Sequence, residues 1–495
     1  MTKPTTITNA DQTTELRQNC RGHVPLDARL EPWMLEVLSS PELHRWVDDF
    51  GTPLNVINTS PLVRNIDELT ATTQTRGVDF RVYLARKANK CLSFVDAAAA
   101  CGAGIDVASL PELQQVVNSG ASGSDVICTA AIKTDELLAE CVRHQVTVAI
   151  DNADELQQLR QMIDGERTAS IALRVSGFRH ANESLHSRFG IDVHLLLDFL
   201  QTHGEPFSNG LVSLDGLHFH LDGYSAEQRV SAIRQCLPLI DHLRSRGHDI
   251  RFLDIGGGIP MSYLDDETQW TTFLDTHRSA LLGNRPPLTY RNHGLGFSVV
   301  NGEVHGQRNT YPYFQRLVQS DWLASILDAP YDDSTIAKSF ADRSLQLRCE
   351  PGRSVLDGCG ITVARAVFRK RHIAGDWLIG LAMNRTQCRT SSDDFLVDPL
   401  LIPHRTAKRT DAIDGFLVGA YCTESELLSL RKLRFANGVA NGDLVVFPNT
   451  AGYFMHFLES RSHQFPLAKN VVLSETGHLT LDRIDQNAEC EPTTN

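Results

Sequence analysis

The segment VYLARKANK places Lys87 directly after a run that reads as a β-strand. A lysine amine that is partly desolvated there loses basicity and becomes a nucleophile toward an aldehyde. Taken alone, the plainer reading is a solvated loop lysine, and Lys90 meets the same loose description. His218 and His220 lie in GLHFHLDG. Side chains two apart share one face of a strand, so both imidazoles are expected to point inward. They could form an HxH metal pair, stack one ring on a flat aromatic cofactor, or be hydrogen-bonded core histidines. In LDIGGGIP, Gly256, Gly257 and Gly258 follow a strand at once. Without Cβ atoms, their N–H groups can approach a phosphate. The G-x-G-x-x-G dinucleotide fingerprint fits poorly, because Met261 stands where its last glycine belongs and Pro260 interrupts. CEPGRSV brings Glu350 and Arg353 together around a Pro-Gly turn. A carboxylate beside a pyridine nitrogen would keep it protonated, and a guanidinium suits a phosphate, whereas the plainer reading is a surface ion pair. Cys422, in GAYCTESELL, is either a proton donor or a small core residue. Tyr453 lies in NTAGYF.

These residues need a frame that brings them together. From Leu54 to about Ile259, short apolar strands alternate with amphipathic helices. The strand candidates are Asp79–Ala85, Gly104–Val107, Asp125–Cys128, Thr147–Ile150, Ser170–Val175, Leu214–Phe219 and Asp249–Ile255. Several intervening helices start at a capping residue (Ser109, Asn152, Ser225) and end near glycine. Such alternation implies a parallel sheet, and its length suits a closed (β/α)8 barrel better than an open sheet. In a barrel of this kind the active site lies at the C-terminal ends of the strands, where Lys87 and the HFH motif fall. After Ser344 the pattern changes to alternating strand residues, as in LQLRCEPGRSVLDG and NGDLVVFPNT, which predicts an antiparallel β domain. The expected division is a mobile tail over 1–25, a segment 26–57 contributing to the β domain, the barrel over 58–339 with an elaboration at 284–339, the C-terminal β domain over 340–484, and a mobile tail over 485–495.

Composition narrows the function. The chain has 495 residues, 42% hydrophobic and 22% charged, which is enough for two or three globular domains. A net charge of -13 argues against general affinity for nucleic acid. The 11 cysteines, from Cys20 to Cys490, contain no CxxC pair and read as free thiols in a reducing compartment. The N-terminus has no apolar signal core, and no apolar run approaches the ~20 residues that span a bilayer. The expectation is a cytoplasmic protein acting on a small molecule, with no nucleic-acid or membrane partner.

The order of the motifs resembles the fold-type III pyridoxal-phosphate decarboxylases, the group of diaminopimelate, ornithine and arginine decarboxylases. GTPLNVIN, ARKAN, GIDVASLPEL, SRFGI, HFHLDG, DIGGG, CEPGR, the cysteine motif and the terminal tyrosine motif follow in family order from about Gly51 to about Phe457. The resemblance implies a TIM-type, alanine racemase-like barrel plus a β domain built from both chain ends, working as a head-to-tail homodimer with sites at the subunit interface. It implies pyridoxal 5'-phosphate bound as a Schiff base to Lys87, with His220 stacked on the ring. It assigns Gly256, Gly257, Gly258, Arg353 and Tyr453 to the phosphate, Glu350 to the ring nitrogen and Arg174 to the ring hydroxyl. Cys422 would enter from the neighbouring subunit and, with Lys87, return a proton.

Three departures bear on substrate and phosphate. Asp222 and Gly223 replace the relatives' Gly and Ser, and Ala-Gly in place of Gly-Ala precedes Tyr453. Thr423 stands where the family commonly carries an acid for a distal substrate ammonium. Leaving a buried ammonium unpaired costs about 3–5 kcal/mol, which disfavours simple diamine-forming substrates. Arg385 and Arg389 fall where diaminopimelate decarboxylases bind a distal carboxylate, so the expected substrate is an amino acid or amino-acid-derived intermediate with a polar or anionic distal end. Glu350 favours decarboxylation, since it would keep the ring nitrogen protonated. The alternatives are a racemase or epimerase on the same scaffold, a non-catalytic homologue that binds a partner protein, and a metal-dependent barrel hydrolase using His218 and His220.

Overall fold

The computed structural model describes residues 9–163, 168–204, 207, 210–390, 395–407 and 411–489. The chain forms two compact units. One is Ser60–Pro260 with Leu317–Val355; the other is Met1–Thr59, Met261–Arg316 and Leu356–Asn495.

The first unit is a closed parallel barrel. Its strands are β1 (Phe80–Ala85), β2 (Gly104–Val107), β3 (Val126–Cys128), β4 (Thr147–Ile150), β5 (Ala169–Ser176), β6 (Val212–His218), β7 (Phe252–Asp254) and β8 (Gln346–Cys349). Each pairs in parallel with the next, and β8 closes on β1 through Leu347 opposite Phe80. The helices between them begin at side-chain caps. Ser109, Thr134, Asn152 and Ser225 each accept the backbone N–H three residues on, satisfying one of the donors a helix leaves free at its start.

Inside the barrel, small and large residues fit one another. A Cβ on Gly104 would stand 2.4 Å from the Tyr83 ring, and one on Gly216 would stand 2.4 Å from the Phe252 ring. The two glycines therefore make the room that the two rings fill. Arg348 of β8 lies over Phe252, 3.6 Å from its centroid.

The second unit contains a ten-stranded sheet. Its longest strand, Gly360–Arg371, pairs antiparallel with Leu54–Ile57, Trp377–Leu381 and Leu444–Pro448. Most pairings are antiparallel, but Leu54–Ile57 runs parallel to Lys469–Leu473, and Trp377–Leu381 runs parallel to Ile413–Val418. Both chain ends supply its core: Trp33, Met34, Leu54 and Val56 pack with Ile361, Val363, Val446 and Val471.

Several boundaries differ from those expected. The barrel does not end at 339, because Gln346–Cys349 is its last strand. That strand alternates polar and apolar residues, which reads as one face toward solvent; here the polar face meets the charged lumen. The 284–339 region divides at Arg316. Its second half includes the helix Gln319–Leu327, whose Trp322 Nε1 donates to Tyr224 O at 2.8 Å within the barrel unit. The expected N-terminal tail contains a helix, Asn9–Asn19, and a strand, Arg21–Gly22, paired to Leu433–Phe435. Leu16 packs on the core cluster and Cys20 is buried, so a few apolar residues suffice there. At the other end, Arg483–Glu489 is helical and Asp485 Oδ2 accepts the Asn470 N–H at 2.6 Å. Residues 1–8 and 490–495 of the expected tails, Cys490 included, lie outside the described residues. Among the described residues, no helix is long and apolar enough to cross a membrane.

The glycine–ring fit in the barrel is testable. Gly216→Ala should destabilise the protein by about 1–3 kcal/mol, the usual range for overpacking. Phe252→Leu in the same chain should return part of that loss, seen as a favourable coupling in a urea-denaturation double-mutant cycle.

Candidate active site

At the C-terminal ends of the barrel strands, charged groups converge. Lys87 occupies the short turn Arg86–Ala88 that follows β1. Buried Arg86 fixes this turn: its guanidinium donates to Asn89 O and Lys90 O, and to Gln115 Oε1 at 3.0 Å. Ala85 N–H donates to Pro351 O at 3.2 Å, holding the end of β1 to the loop after β8. Lys87 Nζ, with 36% of its side chain exposed, reaches Asp106 Oδ2 of β2 at 3.0 Å. Asp106 is fully enclosed and also accepts from Thr129 Oγ1 at 2.5 Å. Burial pushes the Asp106 carboxyl above its usual range, and the Lys87 ammonium opposes that shift.

Opposite them, His218 Nε2 donates to Glu350 Oε1 at 3.0 Å, both groups buried. Burial holds His218 well below the ordinary histidine range, with Arg174 adding to the effect. Its Nδ1 has no partner among the described residues. Burial also raises Glu350, while Lys87, Arg174 and His220 pull it back. Asp254 is raised well above its usual value by burial and by the nearby Glu350 charge; its Oδ1 accepts the Gly256 N–H at 2.9 Å. His220 stands just past β6, and its Nδ1 accepts the Gly257 N–H at 3.4 Å. Burial and the Lys87 charge lower His220 to about 4, so the ring is neutral at pH 7.

The glycine triplet is required by its neighbours. A Cβ on Gly256 would meet Phe219 O at 2.5 Å, and one on Gly258 would meet Gly223 O at 2.8 Å. Both residues have positive φ, 67° and 85°. Buried Arg229 ties the triplet to the HFHLDG loop, its Nη2 donating to Leu221 O at 2.9 Å, Gly223 O at 2.8 Å and Gly257 O at 3.3 Å. Arg174 of β5 lies with its guanidinium 4.0 Å from the Phe189 centroid and its Nη1 3.7 Å from Asp151 Oδ1. Its Nε is buried and unpartnered among the described residues. Arg353 is buried in the turn after β8.

Lys87, Arg174, His220, Gly256–Gly258, Glu350 and Arg353 thus belong to one unit, whereas Arg385, Arg389, Cys422, Thr423 and Tyr453 belong to the other. There, Arg385 opens a short turn, and its N–H donates to Glu426 Oε1 at 2.8 Å. Its Nη1 donates to Ser425 O at 2.8 Å, which draws it to the exposed Cys422–Thr423 turn. Thr423 N–H donates to Tyr421 O at 2.8 Å. Arg389 follows the Arg385 turn and is half-buried. Tyr453 has a left-handed backbone, φ 73°, and its ring meets Phe457 edge-on.

Four residues central to this geometry were not singled out from the sequence: Asp106, Asp254, Arg229 and Glu426. Three carried a signal. Asp106 and Asp254 interrupt apolar strands, and Arg229 falls on the apolar face that Ala226, Val230 and Ile233 define. Among the described residues, the group whose donor atoms could surround a metal is His218, Asp254 and Glu350, within 4.8 Å of one another; it does not include His220.

The site suits a cofactor that bears an aldehyde, a pyridine nitrogen and a phosphate. It offers an amine at the mouth, a buried carboxylate, a neutral flat imidazole, and a side-chain-free loop beside a buried arginine. Residues 63–282 match the model of the pyridoxal-dependent decarboxylase family's pyridoxal binding domain. The chain is 31% identical to the uncharacterized protein y4yA of Sinorhizobium fredii over 433 residues, 86% of this chain and 89% of that one. It is 23% identical to diaminopimelate decarboxylase of Pseudomonas aeruginosa, covering 83% and 85% of the two chains. Among solved structures, M. jannaschii diaminopimelate decarboxylase in complex with L-lysine is similar at a TM-score of 0.66, with 17% identity and coverage of 89% and 91%. The Vibrio vulnificus lysine/ornithine decarboxylase complexed with putrescine reaches 0.62, also at 17% identity, with coverage of 90% and 100%.

The low value at His220 has a consequence for stability. The unfolded chain protonates this ring below 6.5 and the folded one only near 4, so stability is lost as pH falls through that window. His220→Phe should therefore reduce the difference in unfolding free energy between pH 7 and pH 4.5 by roughly 2–3 kcal/mol, read by urea denaturation.

Proposed function

The chain belongs to the fold-type III pyridoxal-phosphate-dependent decarboxylases, and on that premise we propose that it removes the α-carboxylate of an amino acid or amino-acid-derived intermediate with a polar or anionic distal end. The arrangement of Lys87, Asp106, His218 and Glu350 at one mouth of the barrel supports this reading most. Lys87 would hold the cofactor covalently, His220 would take its ring, Arg174 its hydroxyl, and Gly256–Gly258 with Arg353 its phosphate, to which the family resemblance also assigns Tyr453. When bound, pyridoxal phosphate supplies an electron sink for the electron pair left as carbon dioxide departs.

The chain's own groups do the rest. Asp106 orients the Lys87 amine through the 3.0 Å contact of its Oδ2. Glu350 would pair with the ring nitrogen of the bound cofactor, and the His218 N–H orients its carboxylate by donating to Oε1. Neutral His220 can pack against an aromatic ring without repelling a protonated one. Cys422, supplied by a second copy of the chain in a homodimer, delivers a proton from Sγ to the carbon that lost its carboxylate; Lys87 is the second group able to do so.

Substrate choice follows from the other unit. Thr423 offers no charge to a distal ammonium, and the nearby acid Glu426 is buried and engaged with the Arg385 backbone. Arg385 and Arg389 favour a distal anion. The ten described cysteines form no disulfide with one another, which suits a reducing, cytoplasmic setting.

Carbon dioxide release should be fastest with amino acids whose distal end is polar or anionic, and borohydride should fix the cofactor on Lys87 alone, mapped by mass spectrometry. A strong preference for lysine or ornithine would overturn the substrate reading, and a protein that takes up no cofactor would overturn the whole. The shared site has its own test. Lys87→Ala chains, inactive, and Cys422→Ala chains, strongly impaired, should regain up to about a quarter of normal activity when mixed in equal amounts, because about half of the dimers then carry one intact site of two.

A further inference from the structure

The barrel has a second polar cavity, at the end opposite Lys87. It measures about 500 Å³ and opens among the first residues of the strands. Asp79 directly precedes β1, Thr147 opens β4, Ser170 is second in β5 and Gln346 opens β8. Lys87, by contrast, follows the last residue of β1.

Its charged groups differ in how far they are satisfied. Asp215 is fully used: it accepts from Ser170 and Ser213 hydroxyls at 2.5 Å each and pairs with Arg251 at 2.5 Å. Asp79 and Arg348 are joined only through the side-chain amide of Gln346. That amide donates from Nε2 to Asp79 at 3.2 Å and accepts at Oε1 from Arg348 Nε at 2.7 Å. Among the described residues, the Nη groups of Arg348 donate no hydrogen bond. Their guanidinium rests on Phe252, with Tyr83 5.1 Å away by its centroid. A guanidinium with unused donors beside a polar cavity calls for an acceptor.

The Gln346 amide indicates what kind. It turns an oxygen to the cation and a nitrogen to the carboxylate, the polarity an α-amino acid has across its carboxylate and ammonium. A bare anion entering the cavity would meet Asp79, and a bare cation would meet Arg348. A zwitterion answers both with charge-assisted hydrogen bonds, stronger than the amide's neutral ones. We propose that the floor of the barrel binds a free α-amino acid, its carboxylate on Arg348, its ammonium on Asp79, and the hydroxyls of Thr147 and Ser170 beside it.

The binding does not depend on the decarboxylase reading, because the cavity lies at the strand starts, away from the turn that carries Lys87.

Titration calorimetry of the cofactor-loaded protein, one protein amino acid at a time, tests the site while cofactor absorbance reports on the Lys87 end. At least one amino acid should bind with no change in the cofactor band. Asp79→Asn, an exposed position remote from Lys87, should weaken that binding by roughly tenfold or more while leaving kcat/KM measured without the ligand unchanged. The proposal fails if every binding event perturbs the cofactor band, or if Asp79→Asn binds as tightly as the natural protein. Displacement of the amino acid by inorganic phosphate would also overturn it, in favour of a plain anion site.

Discussion

The barrel must keep acids ionised in a place that favours their neutral forms. Asp106, Asp254 and Glu350 stand together at one end of the lumen, all buried, and burial raises each of them. Two buried carboxylates within a few ångströms cannot both ionise cheaply, so positive charge nearby decides which one does. Lys87 supports Asp106 and Glu350, whereas Asp254 is left the most strongly raised of the three. The carboxylates lose stability as pH rises through their raised values, and the two histidines lose it as pH falls. The balance of charge is therefore held between two opposing slopes.

That balance needs fixed distances, and backbone anchors supply them. Arg86 clamps the turn that carries Lys87, and Arg229 clamps the loops that carry His220 and the glycine triplet. Asp254 Oδ1 holds the first of those glycines. A buried arginine with all its bonds to carbonyl oxygens acts here as a multi-point tie between loops, and its loss would strand several acceptors at once. The strands set the height of each charged group; these ties set its angle.

Much of this was legible before any coordinates. The seven strands from Asp79 to Ile255 were legible because each is short and apolar and helical patterns, several of them capped, lie between them, and the family order of motifs drew attention to Lys87, His220 and Glu350. The eighth strand was misplaced because alternation carries no information about what a polar face touches: Gln346 and Arg348 meet a charged lumen, but they read like solvent-facing residues. Asp106 and Asp254 passed unremarked for a related reason, since a single acid in an apolar strand matters only once the barrel closes around it. Glu426 gave no signal at all, being one of two acids in CTESE until its carboxylate meets the Arg385 backbone.

The sheet of the second unit sets a condition on the chain's synthesis. Leu54–Ile57 leaves the ribosome early, but both of its sheet neighbours, Gly360–Arg371 and Lys469–Leu473, are made hundreds of residues later. During that interval its hydrogen-bonding edges have no native partner, and Leu54 and Val56 lack Ile361, Val363, Val446 and Val471 from their core, while the whole barrel is being made. A nascent chain of this design carries an open strand edge for most of its translation, the kind of surface that chaperones cover and that drives misassembly when they do not.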